Sequence, residues 1–179
     1  ICGNLCNASP AGDSIPAMIA AGAVCDIATA EGNRELPVED FVVGVGQNAL
    51  AEGEFLLGIK LPMPGGQTKD AYLRFTPRTE MDIAVAGVGI SLTVVDGICT
   101  DARVAIGAVA PTARLVPDAA NALIGSDLGA QALEQAGEAC KLAASPISDK
   151  RGTAEYRRKV VAVLCRRAAD VAYQRIQGA

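Results

Sequence analysis

Hydrophobic and polar residues alternate in short runs over the first third of the chain, and glycine, asparagine or proline separates the runs. Residues 23–30, 42–45 and 54–61 carry this alternation, which is typical of strands in an antiparallel or mixed sheet. Before them, residues 14–21 combine a serine, an early proline and a run of small apolar side chains, an order that predicts a short helix. The first third is therefore predicted to be one helix followed by strands.

The remaining chain passes from strand patterns to helix patterns. Apolar alternation predicts strands over residues 71–77, 84–95 and 98–109, and Asp96-Gly97 between the last two indicates a two-residue hairpin turn. The apolar spacing then approaches the helical period, and three helices are predicted, over residues 117–124, 128–142 and 154–176. Strands followed by helices favour an α+β layer sandwich.

A stretch rich in proline and glycine, Pro62-Met-Pro-Gly-Gly-Gln-Thr68, lies between these two parts. Proline and glycine there can neither continue a strand nor readily start a helix, so the stretch is typical of a linker. We therefore expect one domain over residues 1–64 and a second over residues 68–179. The chain has 179 residues, which is enough for two small domains with a buried interior.

Composition and charge limit the classes of protein to which this chain can belong. Half of the residues are hydrophobic and a fifth are charged, which is ordinary for a globular chain. The net charge is −4, and the densest basic cluster, Arg157-Arg-Lys159 with Arg166-Arg167, is explained by a solvated helix face or a subunit contact, so nucleic acid is not an expected partner. The longest uncharged stretch, residues 83–95, is shorter than the roughly 20 residues that a membrane-spanning helix needs, so no membrane span is predicted.

Six cysteines are scattered without a Cys-x-x-Cys pair, at Cys2, Cys6, Cys25, Cys99, Cys140 and Cys165. In a chain of this size the pattern is typical of reduced thiols in the cytoplasm, so a cytoplasmic location is predicted. Cys2, Cys6 and Cys25 could alternatively hold zinc or an iron–sulfur cluster. Such sites usually have four ligands at closer spacing, and the chain has no histidine to complete a set, so no metal site is predicted.

The first thirteen residues concentrate groups that a nucleotide would need. Gly3 has no side chain to obstruct a close approach of the backbone to a phosphate. Asn4, Asn7 and Ser9 carry neutral donors for phosphate oxygens, whereas the carboxylate of Asp13 repels phosphate but can accept hydrogen bonds from sugar hydroxyls. We therefore interpret this segment as a loop that wraps the pyrophosphate and ribose of a dinucleotide.

The same residues have a simpler explanation as an ordinary loop at the start of a helix. Asp13 or Ser14 could cap the helix that is predicted to begin near Pro16, as residues of this kind do at many helix starts. The two explanations are compatible, because the free amides at a helix start also favour phosphate.

Ile1-Cys-Gly-Asn4 followed by Cys6-Asn-Ala-Ser-Pro-Ala-Gly-Asp13 resembles the Thr-Ile-Gly-Gly-Asn…Ala-Ser-Pro-x-x-Asp segment of the molybdenum hydroxylase flavoproteins. These are the FAD-binding medium subunits of carbon monoxide dehydrogenase, xanthine dehydrogenase and bacterial aldehyde oxidoreductases. Cys2 stands where the family usually has a glycine. Further segments follow in the family's order and extend the resemblance to the end of the chain, at residues 37–41, 52–57, 59–62, 72–84 and 106–112.

The resemblance implies a fold and a cofactor. Residues 1–64 resemble the C-terminal half of an FAD-binding α+β domain, and residues 68–179 resemble the small sandwich of antiparallel sheet and helices that follows it. A family member carries a further N-terminal stretch with a glycine-rich loop for the FAD pyrophosphate, and we expect that segment to be missing here. The resemblance implies that FAD contacts the residues of the first motif, namely Cys2, Gly3, Asn4, Asn7, Ser9 and Asp13.

Two further FAD contacts are implied downstream. The family places an apolar side chain of the segment Glu54-Phe-Leu-Leu57 against the isoalloxazine ring, so Leu56, or else Phe55, is expected to exclude water from the flavin. Arg78 is expected near the pyrimidine end of the flavin, where a cation stabilises the anionic reduced form. The alternatives are an ordinary strand for Leu56 and a surface ion pair with Asp82 for Arg78, which contributes little to stability.

The implied function is electron transfer within a multi-subunit hydroxylase. A large molybdopterin subunit would oxidise the substrate, 2Fe-2S clusters on a small subunit would relay electrons to FAD on this medium subunit, and an external acceptor would receive them. The sequence holds no nucleophile–base pair, so no catalytic residue is predicted. The implied assembly is a dimer of heterotrimers. The alternative is a truncated module that binds no flavin alone and docks a partner subunit through residues 156–167.

Overall fold

The computed structural model describes residues 1–78 and 82–178. Its helices are α1 (Cys2–Cys6), α2 (Ser14–Ala20), α3 (Val38–Phe41), α4 (Pro117–Leu123), α5 (Ala130–Ala143) and α6 (Ala154–Ile176). Its strands are β1 (Val24–Thr29), β2 (Gly32–Pro37), β3 (Val42–Gly44), β4 (Gln47–Asn48), β5 (Phe55–Lys60), β6 (Thr68–Phe75), β7 (Ala86–Val95), β8 (Ile98–Gly107) and β9 (Arg114–Leu115). This mixture of helices and antiparallel strands confirms the predicted α+β class.

The first sheet has the strand order β2-β1-β5, and both pairings are antiparallel. Cys25 and Ile27 on β1 are fully buried, whereas Asp26 between them is paired with Lys60 of β5. A register shift between Asp26 and Ile27 places Leu56 of β5 opposite Ile27. The buried face of this sheet covers a core that also contains side chains from α1, α2 and α3. The strands β3 and β4 form a separate small hairpin.

The second sheet has the order β6-β7-β8-β9 and is antiparallel throughout. Asp96 and Gly97 form the turn between β7 and β8, and both have left-handed backbones, with φ of +51° and +80°. Val88, Ile90 and Leu92 alternate along β7 and are fully buried in the larger core, beneath α4, α5 and α6. The C-terminal helices thus cover one face of this sheet.

Helix α2 packs on the opposite face of the second sheet, at two glycines. A Cβ atom on Gly89 of β7 would lie 2.4 Å from the carbonyl oxygen of Pro16, and one on Gly107 of β8 would lie 2.4 Å from Cγ of Pro16. A side chain at either position would therefore force the helix away from the strands. The second sheet is enclosed between the C-terminal helices and a helix from the first half of the chain.

Arg103 of β8 fixes this packing. Its guanidinium donates two hydrogen bonds to the carbonyl oxygen of Ile19, at 3.1 and 2.9 Å, and one to Oε1 of Glu39 at 2.7 Å. The smaller core also contains Ala105 and Ala113 from the second half of the chain. The two halves are therefore joined by apolar packing as well as by a charged contact.

The elements predicted from the pattern agree with the structure to within three residues at their ends. The pattern missed β2, an edge strand that is mostly polar on both faces and is held by its pairing with β1 rather than by apolar alternation. It also missed α1, α3, β4 and β9, which have five, four, two and two residues. Elements this short do not show a period.

Candidate functional site

The segment interpreted as a nucleotide-binding loop begins as a helix. Gly3, Asn4 and Asn7 are exposed on or directly after α1, whereas Leu5 and Ala8 are fully buried in the smaller core. The interpretation as a loop is wrong for Cys2–Cys6, because a helical turn places the apolar side chains of the segment in the core and its polar residues on the other side. The polar residues therefore share one exposed face that a ligand can reach.

Two glycines shape that face in different ways. A Cβ atom on Gly3 would meet no atom within 4 Å, so the backbone there is open to an approaching group. A Cβ atom on Gly12 would lie 2.8 Å from Cδ1 of Ile15 and 3.1 Å from Oδ1 of Asn4, so a side chain there would displace the ends of these two side chains. Oγ of Ser14 donates a hydrogen bond to Oδ1 of Asn4 at 2.7 Å, which leaves the amide nitrogen of Asn4 as a donor for a ligand.

Backbone hydrogen bonds hold the segment between the two halves of the chain. The N–H of Gly46 donates to the carbonyl oxygen of Ala8 at 3.0 Å, and the N–H of Ala108 donates to the carbonyl oxygen of Pro10 at 2.8 Å. Both alanines have left-handed backbones, with φ of +49° at Ala8 and +63° at Ala108. This conformation costs a residue with a side chain roughly 1–2 kcal/mol, so it persists only where the surroundings fix it.

Asp13 occupies the N-cap position of α2 but makes no side-chain cap hydrogen bond. Its Oδ1 accepts a hydrogen bond from the hydroxyl of Tyr72 at 3.2 Å, and its Oδ2 is paired with the guanidinium of Arg74. Ser14 bonds to Asn4 instead of capping the helix. The helix-cap explanation is therefore wrong, because β6 offers Asp13 a hydroxyl and a cation, and a charged donor binds a carboxylate more strongly than a backbone amide does.

Sequence reasoning missed Tyr72 and Arg74 as neighbours of the predicted site. One residue separates them on β6, so the alternation of the strand places both on the same face. That spacing is visible in the sequence, but no local signal connects it with Asp13, which lies 59 positions from Tyr72. Burial, and then the charge of Asp13, raise the pKa of Tyr72, so its hydroxyl stays protonated and can donate at neutral pH.

A cavity of about 370 Å³ lies beside Ser9 and Pro10. Its walls are mainly apolar and come from both halves of the chain, including Val45 and Ile83, and Arg157 contributes a buried charge. Its volume is within the range of small-molecule sites, roughly 300–1,000 Å³. Of the predicted site residues, Ser9 is the one that lines this cavity.

Leu56 and Phe55 on β5 have different surroundings. Leu56 is partly buried against the smaller core, on the strand that packs against α1, whereas Phe55 is 59% exposed. The structure therefore places Leu56, rather than Phe55, against the core to which α1 contributes Leu5.

Arg78 forms an ion pair with Asp82, which is the alternative to a flavin contact that the sequence offered. Its side chain is 71% exposed and its Nε lies 3.3 Å from Oδ2 of Asp82, whose own side chain is 4% exposed. Asp82 also accepts a hydrogen bond at 3.2 Å from Arg151, which lines the cavity. Burial acts to raise the pKa of Asp82, but hydrogen bonds from the N–H of Ile83, from Arg151 and from Arg78 outweigh it and lower that pKa.

The predicted site residues thus fall into neighbouring groups rather than one cluster. Cys2, Gly3, Asn4 and Asn7 lie on or next to α1, and Leu56 lies on the strand that packs against it. Ser9 lines the cavity, and Asp13 is held by β6. Arg78 is connected to the cavity wall through Asp82 and Arg151. Amide donors beside an unobstructed glycine backbone are the kind of groups that bind phosphate oxygens, so these residues fit a dinucleotide.

The thiols do not form a metal centre in the described part of the chain. Among residues 1–78 and 82–178, no group of three or more histidine, cysteine, aspartate or glutamate side chains is arranged to hold a metal ion. Burial raises the pKa of Cys25 to about 11, and burial also raises the pKa of Cys6, so both thiols are protonated at neutral pH. None of the helices described here is long and apolar enough to cross a membrane.

Two family models together match most of the chain. The FAD binding domain in molybdopterin dehydrogenase matches residues 1–64, and the CO dehydrogenase flavoprotein C-terminal domain matches residues 71–172. The chain belongs to this family of FAD-binding medium subunits of molybdenum hydroxylases, which confirms the identification made from the first motif.

Three individual proteins show the same similarity over nearly the whole of this chain. The chain is 33% identical to the carbon monoxide dehydrogenase medium chain of Afipia carboxidovorans over 97% of its own length and 60% of that protein. It is 32% identical to the nicotine 6-hydroxylase medium subunit of Paenarthrobacter nicotinovorans over 92% of its length and 57% of that protein. The reconstituted CO dehydrogenase from Oligotropha carboxidovorans has a chain with a TM-score of 0.91 and 32% identity, covering 95% of this chain and 59% of that one. The chain therefore spans somewhat more than half the length of these relatives.

Proposed function

We propose that this chain is part of the medium subunit of a molybdenum hydroxylase, which is an oxidoreductase. In that enzyme the chain holds FAD, and the subunit transfers electrons. The observation that carries the proposal is the exposed face of α1, because it presents Gly3, Asn4 and Asn7 inside the region that matches the FAD-binding family. FAD, when bound, supplies reversible redox chemistry. The protein's own contribution is to bind, orient and shield the cofactor.

Each predicted residue has a defined task in this proposal. The backbone at Cys2 and Gly3 and the side chains of Asn4, Asn7 and Ser9 donate to the phosphate oxygens of FAD. Asp13 accepts hydrogen bonds from ribose hydroxyls, and Tyr72 and Arg74 keep its carboxylate in place for that task. The charge of Arg74 partly neutralises Asp13, which weakens the repulsion between that carboxylate and a nearby phosphate.

Leu56 and Arg78 act on the flavin ring. Leu56 excludes water from the ring, a task that its partly buried position on β5 supports. Arg78, Arg151 and Asp82 together carry one net positive charge, which favours the anionic reduced form of a nearby flavin and raises its potential. The exposure of Arg78 weakens its share of this effect through solvent screening.

The proposal extends to the assembly. A large molybdopterin subunit and a small 2Fe-2S subunit are the partners, the 2Fe-2S clusters supply the electrons, and the complex is a cytoplasmic dimer of heterotrimers. Residues 1–64 and 68–179 form two domains of the medium subunit. Medium subunits among the relatives support the presence of partner subunits. The match of residues 1–64 to an FAD-binding family disfavours a docking module that binds no flavin.

The test is FAD binding by the full-length subunit. We expect flavin absorption bands to stay with the full-length subunit through gel filtration. Replacing both Asn4 and Asn7 with alanine should weaken FAD binding by at least about tenfold, since a hydrogen bond to a charged group contributes roughly 1.5–3 kcal/mol. Asn121→Ala, at an exposed position on α4, is the matched control. A colourless full-length subunit that does not bind added FAD would overturn the proposal.

A further inference from the structure

Arg157 is a charged side chain buried in the wall of the cavity. It projects from the first turns of α6, and the residue is only 4% exposed. A buried charge is costly unless hydrogen bonds satisfy it, and solvated arginines are far more common on a helix with this many basic residues. The contacts of Arg157 therefore need a specific explanation.

The guanidinium of Arg157 joins three segments of the chain. Its Nη1 donates to the carbonyl oxygens of Val85 at 2.9 Å and Ala108 at 3.3 Å, and its Nη2 donates to Oδ1 of Asp149 at 2.6 Å. Asp149 also accepts from the N–H of Arg151, which keeps the carboxylate in position to orient the guanidinium. Within residues 1–78 and 82–178, the Nε of Arg157 has no hydrogen-bond partner.

One of these contacts leads directly to the predicted FAD segment. Ala108 accepts from Arg157 through its carbonyl oxygen and donates through its N–H to the carbonyl oxygen of Pro10 at 2.8 Å. Ser9 and Pro10 also line the same cavity as Arg157. A single residue thus separates the buried guanidinium from the backbone of the segment.

The backbone of Ala108 explains why such a contact is required. Its φ of +63° is unfavourable for alanine, and the strained conformation aims its N–H at Pro10. Without a donor for its carbonyl oxygen, Ala108 could relax toward an ordinary conformation and release Pro10. Arg157 supplies that donor, and the hydrogen bond from Gly46 to Ala8 holds the segment on its other side.

We propose that Arg157 is a positioning residue for FAD: by holding Ala108 in its strained conformation, it keeps Ser9, Pro10 and the following residues arranged for the cofactor before FAD binds. This inference rests on the proposed function. A segment that is already ordered pays less conformational entropy on binding, so the loss of Arg157 weakens FAD binding even though Arg157 itself need not touch FAD.

The experiment compares Arg157→Lys and Arg157→Met with Arg158→Lys in the full-length subunit. Arg158 is the next residue of α6 and donates to the carbonyl oxygen of Ala144, so its variant controls for the loss of a guanidinium on the same helix. Three quantities are measured: the Kd for FAD, the visible circular dichroism of the bound flavin, and hydrogen exchange at the amide of Ala108 without FAD. The lysine variant retains the charge and keeps the test possible if the methionine variant does not fold.

We expect both Arg157 variants to raise the Kd about tenfold or more, to alter the flavin dichroism, and to accelerate exchange at Ala108, with no such changes in Arg158→Lys. A purely structural role would destabilise the free and the FAD-bound protein equally, which leaves the Kd unchanged. Variants with reduced stability but a normal Kd and normal exchange at Ala108 would overturn this inference and leave the proposed function intact. A wild-type subunit that binds no FAD would instead overturn the proposed function together with the inference.

Discussion

The carboxylate of Asp13 accepts a hydrogen bond from the hydroxyl of Tyr72 at 3.2 Å, which joins the end of the predicted FAD segment to the first strand of the second sheet. Arg74, two residues further along the same strand, is paired with the other carboxylate oxygen. The predicted ribose acceptor is thus held by residues from the second half of the chain. A change on β6 is therefore expected to affect both the stability of the protein and its affinity for FAD.

Tyr72→Phe tests this contact. The variant removes the hydroxyl and keeps the ring, so we expect the free energy of unfolding to fall by about 1 kcal/mol, the usual net contribution of a hydrogen bond. We also expect a higher Kd for FAD, because Asp13 then loses one of the two side chains of β6 that hold it. Urea unfolding and an FAD titration measure the two effects. Tyr173→Phe on α6 is the control, and an equal loss of stability in both variants would contradict the prediction.

Gly89→Ala tests the packing of α2 on the second sheet. The new Cβ atom would lie 2.4 Å from the carbonyl oxygen of Pro16, and a backbone atom cannot turn aside as a flexible side chain can. We expect a loss of about 1–3 kcal/mol in the free energy of unfolding, which is typical of overpacking.

The matched control for this substitution is Gly58→Ala on β5. A Cβ atom there meets nothing within 4 Å, so we expect a change within about 0.5 kcal/mol of the wild type. Equal stabilities of the two variants would show that α2 does not approach the sheet as closely as the structure indicates.

The ion pair between Glu54 and Arg34 predicts a pH dependence of stability. A hydrogen bond from Arg34, and then one from the N–H of Ala51, lower the pKa of Glu54 to about 2. The folded pKa lies below the unfolded value of about 4.3, so the contribution of the pair is fully present above that value. It is lost as the pH falls from about 4.3 towards 2, because in this range the unfolded state takes up a proton while the ion pair keeps Glu54 ionised in the folded state.

Urea unfolding at a series of pH values in this window measures the effect. We expect Glu54→Gln to lose stability less steeply than the wild type as the pH falls, since it has no carboxylate to protonate. Glu52→Gln, at an exposed position two residues away, should keep the wild-type slope. The same slope in all three proteins would rule out the predicted linkage.

The reactivity of the thiols tests the burial of the cysteines in the two cores. Cys25, Cys99, Cys140 and Cys165 are fully buried, whereas Cys2 and Cys6 are partly exposed on α1. Burial raises the pKa of Cys99 to about 11, as it does for Cys25, so neither forms a thiolate at about pH 8. We expect a thiol reagent to modify only the α1 cysteines rapidly in the native protein, and all six after unfolding. Rapid native labelling of four or more thiols would contradict this burial.

The candidate site could be predicted only in part. The first motif predicts Gly3, Asn4 and Asn7 as phosphate contacts, because their residue types and spacing indicate that chemistry. It could not show that α1 is helical there, since five residues are too few for a period and the burial of Leu5 depends on a core completed by distant strands. For the same reason, the sequence offered Asp13 only a ribose or, as the alternative, the neighbouring helix, and gave no sign of its partners on β6.

The sequence by itself determined the order of the longer strands and helices apart from β2, the Asp96-Gly97 turn and the family. Each of these depends on residues that are close together in the chain or on motifs in a fixed order. Only the tertiary structure decided that Tyr72 and Arg74 hold Asp13, that Gly89 admits α2, and that Arg157 reaches Pro10 through Ala108. These contacts join positions 49 or more apart, and the free energy that forms them comes from packing both halves of the chain around shared cores. No local pattern of residues predicts such a contact, because the sequence around each of the two contacting residues would also suit a solvent-exposed surface.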